Sequence, residues 1–180
     1  MTLEQLAKQG RRTATMTTAA AIASKMSQMR RESVKQAFCD FDNMKYRYEY
    51  VDVIENVTYY DDSAACSTSA AWFSFDNMCQ PVIWITYANN NDCEDLIPQV
   101  KRHVKAIICI GENADRFHKV YDDICNVVGC ESLEKAVRMA SVMANAGDSV
   151  MLTPATNVNA DYSSYAERGD QFKQYVRSLK

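Results

Sequence analysis

The chain has 180 residues, with 20 Lys+Arg against 23 Asp+Glu, giving a formal charge of −3. Its 47% hydrophobic content suits a folded domain with a core of its own, and the mild acidity excludes a general nucleic-acid binder, which needs a basic face to neutralise phosphates. With only 5 glycines, a glycine-rich loop that wraps phosphates is not expected.

In chain order, the spacing of Ala19, Ile22, Ala23, Met26 and Met29, then of Val34, Ala37, Phe38 and Phe41, predicts helix over residues 15–41 with a turn at Arg30-Arg31. Residues 46–54 and 57–60, rich in Tyr and Val and separated by Glu55-Asn56, read as a β-hairpin. Residues 65–78 read as a helix with Trp72 and Phe75 on one face, 81–86 as a continuous apolar strand, and 95–102 as a short helix. A second apolar strand covers 106–110 and ends at Gly111. Residues 114–127 and 132–144 are predicted amphipathic helices, the second stopped by Gly147. Residues 150–152 form a third buried strand, and 164–179 a closing helix.

Strands without polar alternation, separated by helices, imply a parallel sheet covered on both faces. The expected fold class is α/β: a Rossmann-like, doubly wound, mostly parallel sheet with an N-terminal β-hairpin, at residues 44–180. A short helical segment at 1–43 precedes it. No apolar run spans a bilayer, and the apolar stretch at 19–23 behind Lys8, Arg11 and Arg12 is too short for a secretory signal. Seven cysteines without a CxxC pair read as free thiols of a cytoplasmic protein. His103 and His118 have no partner at metal-ligand spacing, so no metal site is expected.

In such sheets ligands sit beyond the carboxyl ends of the strands, here 61–63, 87–92, 111–113 and 153–162. Asp61-Asp62-Ser63 either caps the helix that follows or contacts a ribose or magnesium. Asn89-Asn90-Asn91 makes a tight polar turn without glycine. Residues 153–157 add hydroxyls and an amide. In Tyr46-Arg47-Tyr48-Glu49 the arginine either stacks on a base or grips an anion, or the alternation marks an outward strand face. Arg168 reads as a structural salt bridge to a nearby carboxylate. No Ser/His/Asp set, no GxxxxGK[ST] and no GxGxxG occurs, so no catalytic residue is assigned.

The ordered string of segments resembles the C-terminal domain of Mur ligases, most closely the D-glutamate-adding members. The resemblance rests on five stretches: the alanine-rich 19–23; Tyr46-Arg47-Tyr48-Glu49 against His-Arg-x-Glu; residues 60–67 against Asn-Asp-Ser-Lys-Ala-Thr-Asn; 81–91 against a strand and a glycine-rich Asp-Lys-Gly loop; and 152–169 against Ser-Pro-Ala-Cys-Ala-Ser, an aromatic and Glu-Arg-Gly. It implies a ligase that joins an amino acid to a nucleotide-linked carboxylate through an acyl phosphate made from ATP, and whose sugar-binding and P-loop domains are not matched. Arg47 and Asp62 match family contacts to the nucleotide. At the amino-acid pocket, Ser63 and Tyr165 match. Ala64 replaces a lysine, Asn91 (or Asn89) a second lysine, and Val158 a serine. Two cations and a hydroxyl are thereby lost, each charged hydrogen bond worth about 1.5–3 kcal/mol. The expectation is a noncatalytic binding or interaction module derived from a peptidoglycan-precursor ligase. It would use no cofactor, or at most ATP and Mg, and an unidentified protein or small-molecule partner. The alternatives are a component of an ATP-dependent acid–amino-acid ligase completed by separate domains, and a nucleotide-binding sensor. A protein partner would be met by exposed rings near Tyr46, Tyr48, Tyr59, Tyr60 and Trp72.

Overall fold

Two consecutive left-handed residues, Glu55 (φ 51°) and Asn56 (φ 63°), fold the chain back on itself in a two-residue hairpin turn whose twist matches that of paired strands. They join β1 (Glu49–Ile54) to β2 (Val57–Asp61) in antiparallel register, with a bulge between Tyr50 and Asp52. The computed structural model describes residues 45–88, 94–111, 114–158 and 161–180. The predicted helix at 15–41 and the boundary between 43 and 44 lie outside the described residues.

After β2 come α1 (Thr68–Asp76), β3 (Val82–Tyr87), a 3-10 turn (Glu94–Leu96) leading into α2 (Ile97–His103), and β4 (Val104–Ile110). Then follow α3 (Ala114–Tyr121), β5 (Asn126–Cys130), α4 (Leu133–Met143), β6 (Ser149–Leu152) and α5 (Tyr165–Arg177). The sheet order is β1-β2-β6-β3-β4-β5, parallel throughout except for the opening hairpin. The expected fold class is therefore observed. The last strand enters between β2 and β3, so the segments after β2, β3 and β6 leave the same edge of the sheet side by side.

Alternation along the central strands sorts the core into two layers. Val82 and Trp84 of β3, with Ile107 and Cys109 of β4 and Met151 of β6, meet Phe75, Val100, Phe117 and Tyr121 from α1–α3. Ile83 and Ile85, with Ile108, Val150 and Leu152, meet Val137 of α4 and Phe172 of α5. Burial on both faces explains why β3 has no polar alternation. Trp84 is fully buried, edge-on to Phe75 at 5.1 Å, and its indole N–H donates to the Thr153 carbonyl at 2.7 Å. That bond ties β3 to the loop after β6.

Four sequence expectations change. The first strand begins at Glu49 rather than residue 46, because Tyr46 and Tyr48 take left-handed backbones (φ 67° and 47°). The helix expected at 65–78 is α1. It buries a narrow stripe, Ala71 and Phe75, and leaves Trp72 38% exposed one step round the helix. The helix expected at 114–127 ends at Tyr121, whose carbonyl accepts the N–H groups of both Ile124 and Cys125 in a closing turn. The chain then runs as a parallel edge strand in which Val127 and Val128 pair with Ile107 and Ile108. The spacing of Phe117, Tyr121 and Ile124 continues a helical period into that turn and hides the strand. Finally, α4 stops at Ala144, and Gly147 (φ 95°) makes the turn into β6, donating its N–H to Asn56 at the hairpin tip at 2.8 Å. No helix among the described residues is long and apolar enough to cross a membrane.

Candidate functional site

Tyr46 and Tyr48 hold conformations that bulky side chains rarely adopt, and the surroundings fix both. The Tyr46 N–H donates to Glu49 Oε2 at 2.7 Å, and its carbonyl accepts the Ala64 N–H at 2.9 Å. The Tyr48 N–H donates to Asp62 Oδ1 at 3.1 Å. Arg47, between them in the chain, is half-buried. The Tyr48 ring stacks on Tyr60 at 4.8 Å, and Tyr50 meets Tyr60 edge-on at 6.4 Å. The Tyr46 ring carries the Lys173 ammonium at 4.1 Å and meets Tyr165 edge-on at 5.9 Å. Of the rings expected at a partner surface, Tyr59 is buried, Tyr46, Tyr48 and Tyr60 are half-buried, and Trp72 is exposed beside Phe73.

Asp61 and Asp62 do not cap α1. Ser67 does, its hydroxyl accepting the Ala70 N–H at 3.1 Å. Asp61 turns inward, fully buried, and accepts the Ser63 N–H at 3.0 Å. Its other oxygen lies 3.3 Å from the Lys173 ammonium, which also reaches Glu49 at 3.0 Å and Asp170 at 3.4 Å. Burial pushes the Asp61 carboxyl up, while Ser63 and Lys173 pull it down. Burial works against the Lys173 charge, but Glu49 and Asp61 outweigh it and hold the lysine above its ordinary range. Lys173 was not among the expected site residues. It stands on the stripe Gly169, Phe172, Lys173, Val176 that α5 buries, and a lysine at such a position is itself a sign of buried carboxylates.

Asp62 is only 3% exposed. One oxygen takes the Tyr48 N–H and the other the Thr153 hydroxyl at 3.3 Å, so this carboxylate staples β1, β2 and the loop after β6 together. Burial pushes it up to about 7, against the opposing hydrogen bonds of Ser74, Tyr48 and Thr153. Ser63 is fully buried, its hydroxyl set beside the Asp61 carboxyl that it helps pull down. Ala64 is half-buried, Val158 half-buried, and Tyr165 45% exposed at the first turn of α5. Asn89, Asn90 and Asn91 lie outside the described residues.

Arg168 departs from expectation: among the described residues no carboxylate pairs with it. It is fully buried, donates through Nη2 to the Ser63 carbonyl at 2.9 Å, and lies 5.3 Å from the centre of the Tyr87 ring. The Tyr87 hydroxyl meets that of Tyr162 at 3.1 Å, and burial raises the Tyr87 phenol far above its ordinary range. Gly169 lets α5 come this close. A Cβ there would press on Ser63 Oγ, lie 2.5 Å from Asp61 Oδ2 and 2.7 Å from Tyr46 Cδ1. Gly169→Ala therefore lowers the unfolding free energy by about 1–3 kcal/mol in urea melts, although alanine is the better helix former. An unchanged or raised midpoint would contradict this packing.

The chain is 32% identical over 182 residues to the UDP-N-acetylmuramoylalanine--D-glutamate ligase of Christiangramia forsetii, covering 99% of the chain and 41% of that protein. It is 32% identical over 164 residues to the enzyme of the same name from Porphyromonas gingivalis, covering 89% of the chain and 36% of that protein. The chain thus spans about two fifths of the curated relatives it matches. Its fold resembles a murein peptide ligase from Psychrobacter arcticus 273-4, with a TM-score of 0.54 at 13% identity over 74% of this chain and 29% of that one. It also resembles a domain from a UDP-N-acetylmuramate:L-alanyl-gamma-D-glutamyl-medo-diaminopimelate ligase of Haemophilus ducreyi 35000HP, with a TM-score of 0.53 at 14% identity over 74% of this chain and all of that one. No family model matches the chain.

Proposed function

We propose that this domain, which is like the C-terminal domain of UDP-N-acetylmuramoylalanine--D-glutamate ligases (MurD) in sequence and fold, carries no ligation chemistry of its own and acts by binding. The observation that carries the reading is the state of the strand ends. Ala64 stands where a lysine is expected from the resemblance, and Val158 where a serine is, so an anionic amino acid meets a methyl group and an apolar side chain. Two cations of α5 are turned to the domain's own groups. Lys173 serves three carboxylates of the domain itself, and Arg168 is sealed beneath Tyr87.

The donor set does not fit Mg-ATP. Asp62, the expected nucleotide contact, spends both oxygens on Tyr48 and Thr153 at 3% exposure. This favours a binding module over a nucleotide sensor. The partner is a protein or small molecule without a requirement for two lysines in its site, and the exposed Trp72, Phe73 and Tyr50 suit a protein surface.

Thermal melts of the purified chain with millimolar D-glutamate, with and without Mg-ATP, test the proposal. The melting temperature stays within error, and the backbone amides of Arg47 and Asp62 do not move in an NMR titration with Mg-ATP. A saturable rise with D-glutamate supports a ligase component instead, and shifts at Arg47 and Asp62 alone support a nucleotide sensor.

A further inference from the structure

Arg168 poses a problem that neither the fold nor the proposed function answers. A guanidinium removed from water costs several kcal/mol unless an anion compensates it. Here the side chain is 0% exposed, Nε and Nη1 have no acceptor, and no described carboxylate pairs with it. Besides the Ser63 carbonyl and the face of the Tyr87 ring, it meets the sulfur of Cys66, 3.9 Å from Nη2. Cys66 is a half-buried free thiol, placed just before Ser67, the N-cap of α1. Its sulfur also lies 3.9 Å from the Ser63 carbonyl, and the residue, partly exposed, stands at the positive end of a helix dipole. Cys109, by contrast, is sealed in the core.

We propose that Cys66 is an oxidation site at which a hydroperoxide builds the anion that Arg168 lacks. In the first step the sulfur displaces water from hydrogen peroxide and becomes a sulfenic acid. The sulfur is oxidised by two electrons, the attacked oxygen stays on it, and the other oxygen leaves as water with the thiol proton. A second equivalent adds another oxygen in the same way and gives a sulfinic acid, whose proton goes to solvent. The sulfinate oxygens project about 1.5 Å beyond the sulfur, enough to close the 3.9 Å gap to charge-assisted hydrogen-bond distance from the guanidinium. The arginine thereby gains a counter-ion across the turn that joins β2 to α1. Oxidation on this scheme tightens the domain instead of loosening it.

Two measurements on the full chain decide the matter. The first is a limited peroxide exposure followed by peptide mass spectrometry. Cys66 accumulates the two-oxygen adduct ahead of Cys79, although Cys79 is the more exposed. The second compares Cys66→Asp with Cys66→Asn, near-isosteres that differ in charge. The aspartate variant melts higher at pH 7 by on the order of 5 °C, since it supplies a permanent anion next to Arg168. If Cys79 leads the oxidation, or if the aspartate variant melts no higher than the asparagine one, the proposal is overturned.

Discussion

Lys173→Met lowers the unfolding free energy by about 3–5 kcal/mol at neutral pH, the range expected when one member of a buried ionic cluster is removed. The ammonium sits 3.0 Å from Glu49, 3.3 Å from Asp61 and 3.4 Å from Asp170. Methionine fills much of the same volume, so packing on the Tyr46 ring is largely kept and the loss is electrostatic. Asp61 suffers most. It is fully buried, and without Lys173 its carboxylate is left to the N–H and the hydroxyl of Ser63, neither of them charged. The penalty therefore shrinks when Asp61 is also made neutral: Lys173→Met with Asp61→Asn is less unstable than Lys173→Met alone. Urea denaturation of the four-member cycle measures the coupling. Additive effects would show that the lysine and the aspartate do not communicate.

Asp62 makes the domain less stable as pH rises, the reverse of an ordinary salt-bridged aspartate. The ordinary aspartate value of 3.8 applies to the unfolded chain, whereas burial pushes the folded group up to about 7. Below about pH 4 the carboxyl is protonated in both states and its contribution is fully present. Between about 4 and 7 the unfolded chain releases the proton while the folded chain keeps it, so the contribution is lost as pH rises through the folded value. The gap corresponds to about 4 kcal/mol when complete. Asp62→Asn removes this dependence while leaving an oxygen for the Tyr48 N–H. Its stability relative to the parent climbs from pH 4 to pH 8, by up to that amount. A difference that stays flat across the range would mean that Asp62 is solvated in the folded state.

Much of the architecture was legible because burial on both faces leaves a mark on composition. β3, β4 and β6 carry unbroken apolar runs, and Glu55-Asn56 between two Tyr- and Val-rich segments announces the hairpin. The starts of α4 and α5 were legible too: the predicted ranges open at 132 and 164, and the structure shows the Ser132 and Ser164 hydroxyls there accepting free N–H groups. The short edge strand β5 was not, because its helix-like lead-in of Phe117, Tyr121 and Ile124 is decided by a turn at the Tyr121 carbonyl.

For the site the division follows a different line. The amino-acid sequence by itself determined which functional groups are available: an alanine at 64, a valine at 158, two adjacent aspartates at 61 and 62, and an arginine and glycine at 168 and 169. It also determined that the strand ends would converge, because a parallel sheet places them on one edge. Only the tertiary structure decided what those groups do. Asp61 and Asp62 are consecutive in the chain, yet one answers Lys173 and the other staples Tyr48 to Thr153. Arg168 was expected to find a carboxylate and instead lies over a ring with two nitrogens unanswered. The physical reason is that a charge acts over a few ångströms of space. Its partners are set by which elements cross there, often over long separations in the chain that no local pattern records.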